Sequence, residues 1–173
     1  MKLNLKPKIL FIAALLVLNS CSSDSDEVET NVENLSTKVK PELVLNYNYN
    51  VAELETLDLI NSYRASLGLN QLVKINHISY KSEEHDRYMI ENNVFNHYDF
   101  VLRSENIMKV LGAKMVAENI ALNYNSPQTV LNAWLSSPGH KTNIVGNFTH
   151  FGIAIKENPI TGVKYYTNIF AKI

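Results

Sequence analysis

Three side chains stand out as able to do chemistry: His97 in Asn96-His97-Tyr98, Glu118 in Ala117-Glu118-Asn119-Ile120, and His140 in Ser136-Ser137-Pro138-Gly139-His140. Imidazole exchanges a proton near neutral pH and carboxylate accepts one, so the set suits general acid–base work. The three are separated by 21 and 22 positions, a spacing with no local metal or triad signature. The same groups would serve equally as a hydrogen-bonded cluster that holds loops together. The sequence has no Gly-x-Ser-x-Gly elbow, no His-Glu-x-x-His, no phosphate-binding glycine loop and no cysteine pair. Ser137 is near His140, but its place between a helix end and Pro138 gives an ordinary reason for a serine.

The elements that must position these groups are legible in part. Leu54, Leu57, Ile60, Tyr63 and Leu67 recur at helical spacing, and Gly68 follows as a C-terminal cap. A second helix is predicted from Asn76 to Asn92, with Ile78, Ser82, His85 and Met89 on one stripe, which gives His85 a core-facing role. A third is predicted from Arg103 to Leu111, stopped by Gly112, with Arg103 pairing an acidic neighbour. Ser126 and Pro127 open a fourth, on which Val130 and Trp134 face the core. Phe151, Ile153 and Ile155 alternate with His150, Gly152 and Ala154, the period of a strand. A turn-rich stretch from Asn158 to Gly162 leads to a second strand from Val163 to Phe170. Helices followed by a terminal hairpin indicate an α+β layered domain.

The N-terminal region has a different character. Lys2, Lys6 and Lys8 precede ten apolar residues, Ile9 to Leu18, the pattern of a secretory signal and too short for a spanning helix. Leu18-Asn19-Ser20-Cys21 resembles the bacterial lipobox, with Asn19 larger than the usual small residue. Cys21 is the only cysteine, and a lipid on it explains both its identity and its position. Residues 1–20 are therefore expected to be a lipoprotein signal peptide, and residues 21–48 a lipidated cysteine with a flexible tether. Removing three of the 16 basic residues leaves 13 against 17 acidic ones, a negative balance that argues against a nucleic acid partner.

Taken in order, Ile60-Asn61-Ser62-Tyr63-Arg64, Phe95-Asn96-His97, Glu118-Asn119-Ile120, Trp134-Leu135-Ser136-Ser137-Pro138-Gly139-His140 and Asn143-Ile144 resemble the CAP superfamily of cysteine-rich secretory, antigen 5 and pathogenesis-related proteins, in its cysteine-poor bacterial branch. The resemblance implies a three-layer α-β-α sandwich of CAP (SCP-like) type over residues 49–173, with a shallow cleft. It carries His97 and Glu118 onto the first histidine and first glutamate of that cleft. The second glutamate falls on Ser137 and is missing. His140 matches the bacterial Ser-Pro-Gly-His motif, and His150-Phe151 offers a second candidate for the other histidine. It further implies that a divalent metal such as Zn2+ could be held by His97, Glu118 and His140, with the polar-cluster reading as the alternative. The expected function is an extracellular binding or interaction module with a lipid, peptide or envelope partner. It would be held to the membrane through Cys21 at the bacterial outer membrane or cell surface. An extracellular peptidase-like hydrolase, metal-dependent or not, and a purely adhesive role are the alternatives.

Overall fold

The first helix begins before its expected apolar stripe, because Asn50 caps it. In the computed structural model, which describes residues 42–173, α1 spans Val51–Ser66. The Asn50 side chain accepts from the Glu53 N–H and the Glu53 carboxylate accepts from the Asn50 N–H, a reciprocal capping box. The helix ends with Gly68 at φ +71°. The Gly68 N–H donates to the Ala65 carbonyl and the Leu69 N–H to the Arg64 carbonyl, a Schellman closure that needs a left-handed residue. Leu54 and Leu67, counted in the stripe, are exposed. Arg64 is buried instead and donates to the carbonyls of Asn70, Ile144 and Gly146.

Two-residue β1 (Val73–Lys74) leads into α2 (Asn76–Asn92), whose bounds are those predicted. The third helix, α3 (Phe100–Leu111), starts three residues earlier than expected, after Asp99 at positive φ. An unpredicted strand follows, β2 (Met115–Leu122), then α4 (Pro127–Ser136) behind its Ser126 cap. A second unpredicted element, α5 (Pro138–Ile144), contains the Gly139-His140 pair. The hairpin is β3 (His150–Glu157) and β4 (Lys164–Lys172).

The four strands lie in the order β1-β3-β4-β2, with β3, β4 and β2 antiparallel and β1 parallel to β3. Strand alternation divides the core into two layers of side chains. Leu57 and Ile60 from α1, Val130 and Trp134 from α4, and Ile144 from α5 pack on Phe151, Ile153, Tyr166 and Phe170. On the opposite face Ile78 and Met89 from α2 and Ile107 from α3 meet Ile169, Ala171, Ile120 and Tyr165. Helices therefore cover both faces, giving the three-layer α-β-α sandwich. At Gly152 the helix α2 comes so close that an added Cβ would sit 2.4 Å from the Ser79 backbone nitrogen.

The sheet's β3 edge continues past β1 and is closed by side chains. The Ile153 N–H donates to Ser79 Oγ at 3.0 Å and the Ile155 N–H to Glu53 Oε1 at 2.9 Å. Tyr47 and Tyr49 in turn bond Glu53 and Ser79, and the Val44 N–H donates to His77 Nδ1. Ordered contacts to the domain thus begin before residue 49, inside the stretch expected to be tether. The expected signal peptide, Cys21 and the tether as far as residue 41 lie outside the described residues.

Candidate functional site

Glu118 and Asn119 are neighbours on β2, so their side chains leave on opposite faces of the sheet. Glu118 turns toward α3. Arg103 grips it with two hydrogen bonds, Nε to Oε2 at 3.0 Å and Nη2 to Oε1 at 2.9 Å. The remaining Arg103 nitrogen, Nη1, donates to the Tyr98 carbonyl at 2.7 Å. Both side chains are almost wholly withdrawn from solvent. The bidentate fork is the strong form of this pair, and its burial makes each partner depend on the other.

His97 completes the carboxylate's set of partners. Its Nδ1 lies 2.8 Å from Glu118 Oε1; because a carboxylate only accepts, Nδ1 carries the proton, and in the neutral ring Nε2 holds the lone pair. The His97 side chain is 49 % exposed, and no described residue bonds Nε2. Burial pushes the Glu118 carboxyl up, but the His97 hydrogen bond and the Arg103 charge outweigh it and hold the group below its ordinary value.

His85 supports this arrangement from beneath. Its Nε2 donates to the Asn96 carbonyl at 2.8 Å, which ties α2 to the turn that presents His97. Burial holds the His85 imidazole below its ordinary value although the Glu118 charge pulls the other way, so Nδ1 is an unprotonated, buried nitrogen with no partner among the described residues. Tyr88 stacks on His85, and Tyr98 stacks on Tyr88 with ring centroids 4.9 Å apart.

Asn119 turns to the other face and positions α5. Its Nδ2 donates to the His140 carbonyl at 3.0 Å, and Asn143 Nδ2 donates to Asn119 Oδ1 at 2.8 Å. The His140 ring is half-buried, and desolvation together with the nearby His97 lowers its proton affinity. His97 thus stands on the Glu118 side of β2, an outer strand of the sheet, and His140 on the Asn119 side. A groove of about 290 Å³ continues from His140 along the edge of β2, between Phe95 on one side and Trp134 on the other.

The model of the cysteine-rich secretory protein family, CAP, matches residues 57–170. The chain belongs to the CAP family. Two relatives from Bacillus subtilis (strain 168) have similar sequences. Uncharacterized protein YkwD is 33 % identical over 110 residues, covering 61 % of this chain and 43 % of the relative. Uncharacterized membrane protein YlbC is 30 % identical over 125 residues, covering 70 % and 34 %. The chain thus spans less than half the length of either. Among solved structures, an extracellular protein containing an SCP domain from Bacillus anthracis superposes with a TM-score of 0.62 at 27 % identity, over 70 % of this chain and 40 % of that one. An outer surface protein from Borrelia burgdorferi superposes with a TM-score of 0.61 at 21 % identity, over 67 % and 88 %, a likeness of fold.

Within the CAP domain, the three expected cleft residues meet two different fates. His97 and Glu118 are in direct contact, while His140 is held on the other side of the sheet through Asn119 and feels the His97 charge. His150 does not join them: it lies on β3, separated from β2 by β4, and its Nδ1 bonds Thr149 Oγ1. Arg103 proves to be the principal partner of Glu118, and His85, placed in the core by its stripe, also reaches the cluster. The signal for His85 was present in its helical spacing, but nothing local links it to Asn96.

The donor set also bears on a metal. An open zinc site uses three protein ligands. Here both Glu118 oxygens are engaged by Arg103 and His97, leaving the His97 Nε2 and the His140 ring. Among the described residues no group of three His, Cys, Asp or Glu side chains is arranged to hold an ion.

Proposed function

We propose that this CAP-domain chain is an extracytoplasmic binding module, held at the bacterial envelope by a lipid on Cys21, whose cleft receives a lipid, peptide or envelope partner. The observation that carries this reading is that both Glu118 carboxylate oxygens are held, by Arg103 and His97. A carboxylate so held is a scaffold for the cleft and is not free to act as a general base. The extracellular protein from B. anthracis and the membrane protein of B. subtilis, both similar to this chain, support an envelope address.

One observation favours the hydrolytic alternative: the His97 side chain is 49 % exposed and its Nε2, unbonded by any described residue, is placed to accept a proton. The two readings part in a single assay. The purified chain is incubated with a pooled peptide library and the products are followed by mass spectrometry. No cleavage is expected; turnover abolished by His97→Ala would replace the binding reading with the hydrolase. The address is tested by fractionation, where the wild type should remain with the envelope and Cys21→Ala should be released.

A further inference from the structure

The outer edge of β2 is capped at the Glu118 and Ile120 carbonyls and open at the Ile120 and Leu122 amides and the Leu122 carbonyl. In an antiparallel pair, alternate residues turn both main-chain groups toward the same neighbour. The Asn123 N–H bonds the Lys164 carbonyl, and the register extends this phase to the pairs Ala121–Tyr166 and Asn119–Asn168. Glu118, Ile120 and Leu122 therefore aim their N–H and C=O groups away from β4. Asn143 Nδ2 reaches the Glu118 carbonyl at 3.3 Å, and Trp134 Nε1 reaches the Ile120 carbonyl at 3.0 Å. The N–H groups of Ile120 and Leu122, and the Leu122 carbonyl, have no protein partner among the described residues.

These unpaired groups border the groove. It is lined by Ile120, Ala121 and Leu122 in succession, whereas a hollow over one face of a sheet would touch alternate residues only. The groove therefore runs along the strand edge, in a slot between the two helical layers. Phe95 forms one wall; Ala133, Trp134 and Ser137 form the other, with His140 at the rim. No carboxylate, lysine or arginine lines it, so its charge matches neither a cationic nor a strongly anionic ligand. Two donors and one acceptor in a line, flanked by apolar walls, match the main chain of an uncharged extended peptide. Its carbonyls would accept from Ile120 and Leu122, and one of its N–H groups would donate to the Leu122 carbonyl. A lipid tail would leave all three groups unpaired as it displaced their water, which costs free energy.

We propose that this groove binds an extended, uncharged peptide segment as an added strand on the outer edge of β2, through the main chain of Ile120 and Leu122. The inference rests on the binding-module reading and names its ligand class. Trp134 and Asn143 cap the neighbouring carbonyls, so the edge accepts a short segment without inviting open-ended sheet growth.

The test uses the full chain and a pool of capped heptapeptides in which Val or Ala alternates with Thr, read by fluorescence competition and by NMR amide exchange. Binding should slow exchange at Ile120 and Leu122. Leu122→Pro removes one edge donor at a position where a strand tolerates proline, and it should weaken binding roughly tenfold. A peptide with an ester in place of the amide whose N–H meets the Leu122 carbonyl should lose a comparable factor against the unaltered chain, which guards against a misfolded variant. Binding without protection of these amides, or insensitive to both changes, overturns the edge-strand proposal. Failure of the peptides with saturable binding of a fluorescent fatty acid overturns it while leaving the binding module standing. Failure of both probes, with peptide turnover in the cleavage assay, overturns the proposal and the reading beneath it.

Discussion

Arg103 is the residue that allows Glu118 to stay ionised inside the domain: its guanidinium meets both carboxylate oxygens at 3.0 and 2.9 Å, beneath a site whose other partner, His97, is half in solvent. Arg103→Ala leaves a buried carboxylate without its counter-charge and is expected to destabilise the domain by about 3–5 kcal/mol. Arg103→Met combined with Glu118→Leu should cost less than the single change. Urea denaturation of the three variants checks both statements, and a double variant worse than Arg103→Ala would contradict them.

Acid should act through the same pair. The folded-state Glu118 value is below its ordinary 4.5, so the stability it contributes is present above that ordinary value and is lost as pH falls through the folded one. Glu118→Gln should remove this part of the acid sensitivity. The measurement is the denaturation midpoint of wild type and variant between pH 6 and pH 3, where about 1.4 kcal/mol per pH unit is the largest slope one proton can give.

Asp86 titrates in the opposite sense. It is completely buried, accepts from Thr167 Oγ1 at 2.6 Å, and its Oδ2 has no partner among the described residues. Burial holds its carboxyl well above the ordinary 3.8. The folded protein therefore keeps a proton that the unfolded chain releases, and stability falls as pH rises from 3.8 toward the folded value. Asp86→Asn keeps an acceptor for Thr167 and should flatten this slope while raising stability at pH 7. An unchanged slope would show that Asp86 does not hold that proton.

The close approach of α2 to β3 predicts a steric result. A Cβ at position 152 would meet the Ser79 nitrogen at 2.4 Å and the Ile78 carbonyl carbon at 2.7 Å, both backbone atoms that a rotamer change cannot move. Gly152→Ala should destabilise by about 1–3 kcal/mol, seen as a lower thermal midpoint with the fold retained.

The segment before α1 should prove part of the domain. A chain beginning at residue 42 keeps the bonds from Val44 to His77, from Tyr47 to Glu53 and between Tyr49 and Ser79. A chain beginning at residue 50 loses all three and should be less stable by about 3 kcal/mol, taking each at its usual net value of about 1 kcal/mol. Equal denaturation midpoints would show that the segment contributes nothing.

Much of this was legible in the residues because local chemistry is repeated or has one steric solution. Gly68 marks a turn that needs positive φ, Ser126-Pro127 marks a helix start, and the stripe through Ile78, Ser82, His85 and Met89 marks a buried helix face. The alternation at Phe151, Ile153 and Ile155 marks a strand. The family was readable too, since its motifs recur in order from Ile60 to Ile144. β2 was hidden because Glu118 and Asn119, two polar residues in succession, interrupt any alternating pattern. Each is satisfied only by groups distant in sequence: Glu118 by His97 and Arg103, Asn119 by the His140 carbonyl and Asn143. α5 is short and rich in weak helix formers, and its place is set by Ile144 in the core and by the Asn119–Asn143 contact. Sequence by itself determined four of the helices, the terminal hairpin and the family. Tertiary structure alone decided that His97 and His140 take opposite faces of β2, that His150 stays apart, and that Arg103 occupies the Glu118 carboxylate. Those outcomes depend on which strands pair and in what order, a long-range choice that no local spacing encodes.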